Sequence, residues 1–180
     1  PAFTVTVLFV WLFERVPVFF FQERFGLGGE PFTIIKLRTM PYIERSHQVD
    51  AAYIQKKPQY QTTRSGKFMR RHSLDEIPQF WLVLKGDMSL VGHRAFPMHY
   101  LPHMADLPGM TPSKLDAYLN TVAGYKPGMT ALSAVNGRAN LTLQQKIDYD
   151  MTYAQRASFW LDVQILLRSI VVVVTGEGAR

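Results

Sequence analysis

Residues 73–92 read SLDEIPQFWLVLKGDMSLVG, and both the fold and the chemistry turn on how the first four letters are taken. Asp75 and Glu76 stand side by side just before Pro78 and an apolar run, with Arg70, Arg71, Lys85 and Arg94 close by in sequence. Two adjacent carboxylates among cations point to chemistry on a phosphate, with one carboxylate as nucleophile and the other holding a metal. Ser73 and Glu76 also fit the S-x-x-E capping box, in which both side chains satisfy free N–H groups at a helix start. Taken alone, the cap is the commoner use of such a pattern. Proline is tolerated near a helix start and not in its middle. A helix is therefore expected over 78–84, beginning beside the acidic pair, with its positive dipole end towards any bound phosphate.

Upstream, the cations Arg64, Lys67, Arg70 and Arg71 recur at three- and four-residue steps, the pattern of an amphipathic helix over 64–71 whose basic face meets solvent or lipid. Residues 17–40 predict a β-hairpin. PVFFFQERF and PFTIIKLRTM are rich in aromatic and β-branched residues, and Gly26-Leu27-Gly28-Gly29 supplies the positive-φ positions of a tight turn. Alternation puts Lys36 and Arg38 on one face, either a solvated surface or the rim of an anion site. Residues 41–63 are polar and suggest a short helix and a loop. Residues 1–13, PAFTVTVLFVWLF, are apolar but cover only about two thirds of a ~30 Å bilayer core. They suit a buried strand, a core helix, part of a span, or half of a re-entrant membrane element, with Trp11, Phe13 and Arg15 placed like interfacial anchors.

Downstream, His93, Pro97, His99, Pro102 and His103 suggest a loop over 92–112, and their spacing matches no compact zinc site. A helix is expected over 113–122, then a turn, a short extended segment and an Asn-Gly turn within KPGMTALSAVNGR, residues 126–138. Residues 142–159 read as an amphipathic helix with Asp148, Asp150 and Arg156 exposed or facing a site. FWLDVQILLRSIVVVVT, residues 159–175, reads as a helix packed on the core or lying along a membrane surface. Asp162 and Arg168 make it too charged for a comfortable span, and Gly176 is its stop.

The chain has 180 residues, enough for one domain with a working core, and a net charge of +6. Its pI near 9.7 suits a phosphate-bearing partner without choosing among lipid, nucleotide and nucleic acid. Cysteine is absent, which excludes disulfides and thiolate metal sites. The first apolar run lacks a basic leader and a small-residue cleavage site, so it does not read as a signal peptide.

Four separated motifs, in order, now agree. QERFGLGGEPFTIIKLRTM, RRHSLDEIPQFWLVLKGDMSLVG, KPGMTALSAVNGR and FWLDVQILLRSIVVVVTGEG resemble the bacterial sugar transferases, the monotopic phosphoglycosyl transferases that start glycan assembly on a polyprenol phosphate. The resemblance covers nearly the whole chain. It implies a two-step exchange in which Asp75 attacks the β-phosphate of a nucleoside diphosphate sugar and holds the phosphosugar until polyprenol phosphate takes it. It also implies Mg2+ supported by Glu76, and a uridine nucleotide as donor. Lys36, Arg38, Arg94 and Arg138 are expected to converge on the diphosphate or the lipid phosphate, with Asp150 as a further substrate-binding residue.

The same register places Pro1 at the proline that bends the family's re-entrant helix, so that 1–13 would be its returning half. Two departures stand out. The family's P-R-P is His93-Arg94-Ala95 here, and its G-L-W-Q is Ala131-Leu132-Ser133-Ala134. Both bear on sugar preference and on activity.

The expectation is thus an α+β, mostly helical protein: a membrane-associated helix over 1–16 and a catalytic domain over 17–180 with a β-hairpin and amphipathic interfacial helices. It would sit on the cytoplasmic face of the bacterial inner membrane. Nucleoside diphosphate sugar, polyprenol phosphate and membrane lipid are the expected partners. Nucleic acid is not among them, and an oligomer is left open. A catalytically impaired assembly scaffold and a non-catalytic basic membrane- or nucleic-acid-binding module are the alternatives.

Overall fold

The computed structural model describes residues 17–40 and 62–179. The expectations for residues 1–13 and for the loop up to residue 61 lie outside the described residues. The hairpin forms as expected. β1 (Phe19–Phe25) pairs antiparallel with β2 (Pro31–Leu37), and the register sets Phe20 opposite Lys36, Gln22 opposite Ile34 and Arg24 opposite Phe32. Period two then puts Gln22, Arg24 and Lys36 on one face. Gly28 and Gly29 close the turn at φ 70 and 82, the left-handed region that a Cβ disfavours.

Helix α1 (Arg64–Arg71) starts where the Thr63 hydroxyl accepts from the Gly66 amide at 3.0 Å, an N-cap of the usual kind. Gly66 lies against the Thr39 carbonyl so closely that a Cβ would collide with backbone, and α1 thereby rests directly on the chain leaving β2. A 3-10 turn (Leu74–Glu76) follows, then α2 (Gln79–Lys85), ended by Gly86 at φ 92.

Strand β3 (Ser89–Val91) pairs in parallel with β4 (Gly128–Thr130), through Ser89 with Gly128 and Val91 with Thr130. Between them come α3 (Leu101–Ala105) and α4 (Pro112–Ala123). After β4 come α5 (Leu132–Val135), α6 (Leu143–Arg156) and α7 (Phe159–Thr175), the last stopped by Gly176 at φ 71.

The described residues are mostly helical with a small antiparallel hairpin, as the α+β reading requires. The helices over 64–71 and 159–175 match their expected bounds. Three local readings change. The helix read over 142–159 ends at Arg156, because Ala157 leaves the helical region and the Ser158 hydroxyl caps α7 by accepting from the Leu161 amide. The loop read over 92–112 contains a 3-10 turn at Met98–Tyr100 and α3, whose Pro102 sits at a first-turn position that needs no donor. The extended segment of 126–138 stops at Thr130, and Leu132–Val135 forms a helical turn.

The core is a ring of small apolar clusters. Phe25, Phe96, Met104, Tyr118, Val122 and Ile147 join the hairpin's turn end to α3, α4 and α6. Val91, Val135, Tyr153 and Ile165 join β3 to α5, α6 and α7. Ile34, Leu82 and Met88 seat β2 on α2, and Leu37 with Met69 seats it on α1. The face of the hairpin that carries Lys36 is thus held over the Leu74–Glu76 turn.

Candidate active site

Ser73 adopts φ 51, a conformation uncommon for a residue with a Cβ, and makes no capping hydrogen bond to the turn behind it. The cap reading of Ser73-x-x-Glu76 is therefore not what forms. The Glu76 carboxylate reaches across the chain instead. Its Oε1 accepts from Lys36 Nζ at 2.5 Å and from Arg94 Nη2 at 3.3 Å, with the Lys36 and Glu76 side chains each 17% exposed.

Burial alone would raise the Glu76 pKa, but the Lys36 ammonium and the Arg94 guanidinium, with the hydrogen bonds they donate, outweigh it and hold the group at about 2. The Lys36 pKa falls as well, which for a cation means that its charged form is disfavoured. Burial lowers its pKa by more than Glu76 restores. The pair is consequently worth less to stability than the carboxylate's shift alone implies, as is usual for ion pairs taken out of water.

Asp75, 8% exposed, behaves differently from its neighbour. Burial is the largest influence and raises its pKa, reinforced by Glu76 and opposed by Lys36, Arg70 and its own backbone N–H. Among the described residues, no other side chain hydrogen-bonds this carboxylate. Two adjacent acids thus have their ionisation pushed apart: Glu76 is pinned as an anion by two cations, and Asp75 is desolvated and uncommitted. Such a split is a pattern of working carboxylates as well as of structural networks.

The expected cations do not all arrive in the same way. Lys36 and Arg94 touch Glu76 directly, and Arg94 keeps its remaining nitrogens unengaged among the described residues, with its side chain 41% exposed. The frame of Arg94 is not proline. Its amide donates to Asp150 Oδ1 at 3.1 Å, it bridges to Gly128, and the Gly128 amide donates to the His93 carbonyl at 2.9 Å. Gly92 and Gly128 pack backbone to backbone there, and a Cβ on Gly92 would stand 2.7 Å from the Gly128 nitrogen. His93 is buried beneath this crossing, and burial pushes its pKa down to about 4, so the ring is neutral at pH 7.

Arg138 is also present, but it faces main chain. Nη2 donates to Ser73 Oγ at 2.7 Å and to the Arg70 carbonyl at 3.1 Å, while Nη1 donates to the Arg71 and Glu177 carbonyls at 3.2 and 3.3 Å. Arg138 is itself left-handed at φ 50. Two strained residues are therefore tied to each other two positions before Asp75. Arg38 donates to the Pro17 and Phe19 carbonyls and lies over the Phe20 ring, at the open end of the hairpin. Asp150 is buried, accepting from the Arg94 amide through one oxygen and from the Tyr118 hydroxyl through the other at 3.0 Å. Burial raises its pKa to about 7. It supports Arg94 from behind.

Two further cations belong to the site. Arg70 donates through Nε to Thr39 Oγ1 at 2.8 Å, and its charge acts on Asp75 and Glu76. Arg24 donates to the Ala95 carbonyl at 2.7 Å and to Gln22 Oε1 at 2.6 Å. Burial and the neighbouring Arg94 lower its pKa to about 10, against Glu76 and Tyr100. Extending the alternation argument from Lys36 to the first strand, where Gln22 and Arg24 share its face, is the signal that finds Arg24. A cluster this cationic, built around the Asp75–Glu76 pair, is suited to an anion with more than one negative charge.

The donor set also suits a hard divalent cation. Both contacts to Glu76 fall on Oε1, which leaves Oε2 without a partner among the described residues, and the neighbouring residue Asp75 has its carboxylate uncommitted. Among the described residues no three or more His, Cys, Asp or Glu side chains stand together. That excludes an all-protein cage from those residues. It fits an ion held by one or two carboxylates that takes its other ligands from water and substrate phosphates.

Comparison with known proteins identifies a family. The family described as bacterial sugar transferase matches residues 1–176. An uncharacterized sugar transferase of Bacillus subtilis (strain 168), EpsL, is 35% identical over 181 residues, covering 98% of this chain and 82% of that protein. A UDP-glucose:undecaprenyl-phosphate glucose-1-phosphate transferase of Xanthomonas campestris pv. campestris is 38% identical over 170 residues, 91% of this chain and 33% of the relative. One of the same description from Caulobacter vibrioides (strain ATCC 19089 / CIP 103742 / CB 15) is 36% identical over 186 residues, 99% of this chain and 65% of the relative. The chain therefore spans about a third of the Xanthomonas protein and just under two thirds of the Caulobacter one.

Proposed function

The chain belongs to the bacterial sugar transferase family, and from that premise we propose that it moves a sugar 1-phosphate from a nucleoside diphosphate sugar to undecaprenyl phosphate through Asp75. A UDP-sugar is the donor class, by analogy with the relatives' names. The observation that carries the reading is the contrast within the acidic pair: Glu76 is pinned by Lys36 and Arg94, and Asp75 is buried, uncommitted and flanked by cations.

In the first step an Asp75 carboxylate oxygen attacks the β-phosphorus. The bond from that phosphorus to the bridging oxygen breaks, and nucleoside monophosphate leaves with the electron pair. In the second, an oxygen of undecaprenyl phosphate attacks the same phosphorus, the bond to Asp75 breaks, and the carboxylate is regenerated. Lys36, Arg70 and Arg94 lower the repulsion between the incoming anion and the diphosphate and stabilise charge on the phosphoryl oxygens. Arg138 holds the segment before Asp75, through the Arg70 and Arg71 carbonyls and Ser73 Oγ, so that the carboxylate is aimed before substrate arrives.

Asp75 and Glu76 Oε2 would hold Mg2+. When bound, it supplies Lewis-acid withdrawal of charge from the phosphate oxygens.

The surface supports a membrane-bound reading. No helix of the described residues is long and apolar enough to cross a bilayer. Yet Trp81, Leu84 and Trp160 are 63, 80 and 72% exposed, beside exposed Phe68, Phe80 and Phe159. Apolar and aromatic side chains on α1, α2 and α7 would lie in one interface, with residues 1–16 as the membrane-associated segment and 17–180 as the catalytic domain. The cytoplasmic face follows from the cytosolic supply of nucleotide sugars.

The test uses the full-length protein in lipid nanodiscs with a panel of UDP-sugars, Mg2+ and undecaprenyl phosphate. The expected result is release of UMP, a burst of it without lipid acceptor, and a phosphosugar adduct on the Asp75 peptide by mass spectrometry. Turnover should stop in excess chelator and return with Mg2+. Persistent UMP release from an Asp75→Asn variant, or from chelated protein, would refute the corresponding assignment.

A further inference from the structure

Arg94 borders two places at once. One is the acidic pair, which it meets through Nη2, and the other is a cavity of about 230 Å³. Arg24 and Arg94 bring positive charge to this cavity, and Phe96, Tyr100, Leu143 and Ile147 contribute aromatic and aliphatic surface. Asp150 accepts from the Arg94 amide and from Tyr118, so the remaining polar groups on the wall are chiefly the cations Arg24, Arg94 and Lys146, which suit a phosphate. The aromatic and aliphatic remainder suits a flat heterocycle attached to that phosphate.

The reaction geometry points the same way. Phosphoryl displacement puts the attacking and leaving oxygens roughly in line on opposite sides of phosphorus. With Asp75 attacking, the leaving nucleoside monophosphate must lie on the far side of the β-phosphorus. Arg94, anchored to Glu76 by one nitrogen and partly exposed, extends from the acidic pair to the cavity and can meet the phosphate that departs.

We propose that this cavity binds the pyrimidine nucleoside of the donor, with the base against Tyr100, Leu143 and Ile147 and the nucleoside's own phosphate on Arg94 and Arg24; this rests on the transferase reading above. The sugar then lies outside the cavity, and donor recognition divides between a nucleoside pocket and a separate sugar surface.

Calorimetric titration of UMP alone, with Mg2+ present, into the full-length protein tests the proposal, together with KM and kcat for a UDP-sugar. Leu143→Trp fills the cavity, and Tyr100→Ala removes one wall without adding bulk, so the second variant reads the cavity even where the first unfolds the chain. In each folded variant the UMP Kd and the donor KM should rise together, by about tenfold or more, with kcat changed far less, the signature of lost binding common to ground and transition states. Unchanged UMP affinity in Tyr100→Ala and in folded Leu143→Trp, with turnover intact, overturns the cavity assignment and leaves the transferase reading standing. Absence of both UMP binding and turnover in the unmodified protein overturns the two together.

Discussion

Removing the Arg138 guanidinium should loosen the segment that leads into Asp75 as well as weaken any contact with substrate. The side chain makes two part-buried hydrogen bonds, to Ser73 Oγ and the Arg70 carbonyl, and two exposed ones, to the Arg71 and Glu177 carbonyls. Allowing about 1 kcal/mol for each part-buried bond and about half that for each exposed one, Arg138→Met should cost about 3 kcal/mol. For a domain of this size that is a fall of about 6–12 °C in melting temperature. Arg138→Lys is the informative partner. A lysine keeps the charge but cannot donate along four fixed directions, so a clamp loses most of its stability with either substitution. A pure phosphate ligand would instead leave stability unchanged and keep partial activity as lysine. Scanning calorimetry with turnover assays on Arg138→Met, Arg138→Lys, Ser73→Ala and the Arg138→Met/Ser73→Ala double variant separates these cases. The cycle should show coupling of about 1 kcal/mol. Both Arg138 variants melting within about 1 °C of the parent would refute the clamp.

Asp75→Asn should abolish UMP release while leaving the melting temperature equal or higher, because burial raises the carboxyl's pKa and its charge opposes folding at neutral pH; a drop of more than about 5 °C would show that the carboxylate is structural. Asp150 has its pKa raised from the ordinary 3.8 to about 7, so its contribution to stability is complete below about 3.8 and is lost as pH rises towards 7. At 1.36 kcal/mol per pH unit that slope sums to an upper limit on the order of 4 kcal/mol; urea midpoints in Asp150→Asn should be flatter from pH 4 to 7, and an identical pH profile would contradict the assignment. Trp81→Glu and Trp160→Glu should lower flotation with anionic vesicles without changing the fold, since both rings are largely exposed; undiminished flotation of the double variant would remove α2 and α7 from the interface.

Much of this architecture can be read locally. The hairpin, α1, α2 and α7 are bounded by Gly28-Gly29, Thr63, Pro78, Gly86 and Gly176, residues whose backbone preferences act over a few positions. The site is harder to read because its partners are remote. Ser73-x-x-Glu76 is the same string whether it caps a helix or turns away from it, and Lys36, forty residues before Glu76, with Arg94, eighteen after, decides where the glutamate turns. Arg138 is a cation in the sequence, and nothing near it reveals that its four bonds go to carbonyls and a hydroxyl. Asp150 looks like one acid among several on an amphipathic helix, and its burial depends on where β4 and Tyr118 bring Arg94.

The contacts that aim the acidic pair join residues far apart along the chain: 40 positions for Lys36 with Glu76, 56 for Arg94 with Asp150, and 65 for Ser73 with Arg138. Each closes a long loop, whose entropy must be overcome before the contact can repay it. The carboxylates are made after Lys36 but before Arg94, Arg138 and Asp150. A ribosome that has passed Asp75 but not Arg138 carries a nascent chain with its reactive groups present and its nucleophile loop unclamped. On the proposed reading, chemistry at Asp75 would be withheld until Arg138 has emerged, and a product ended between the two should be inert rather than partly active.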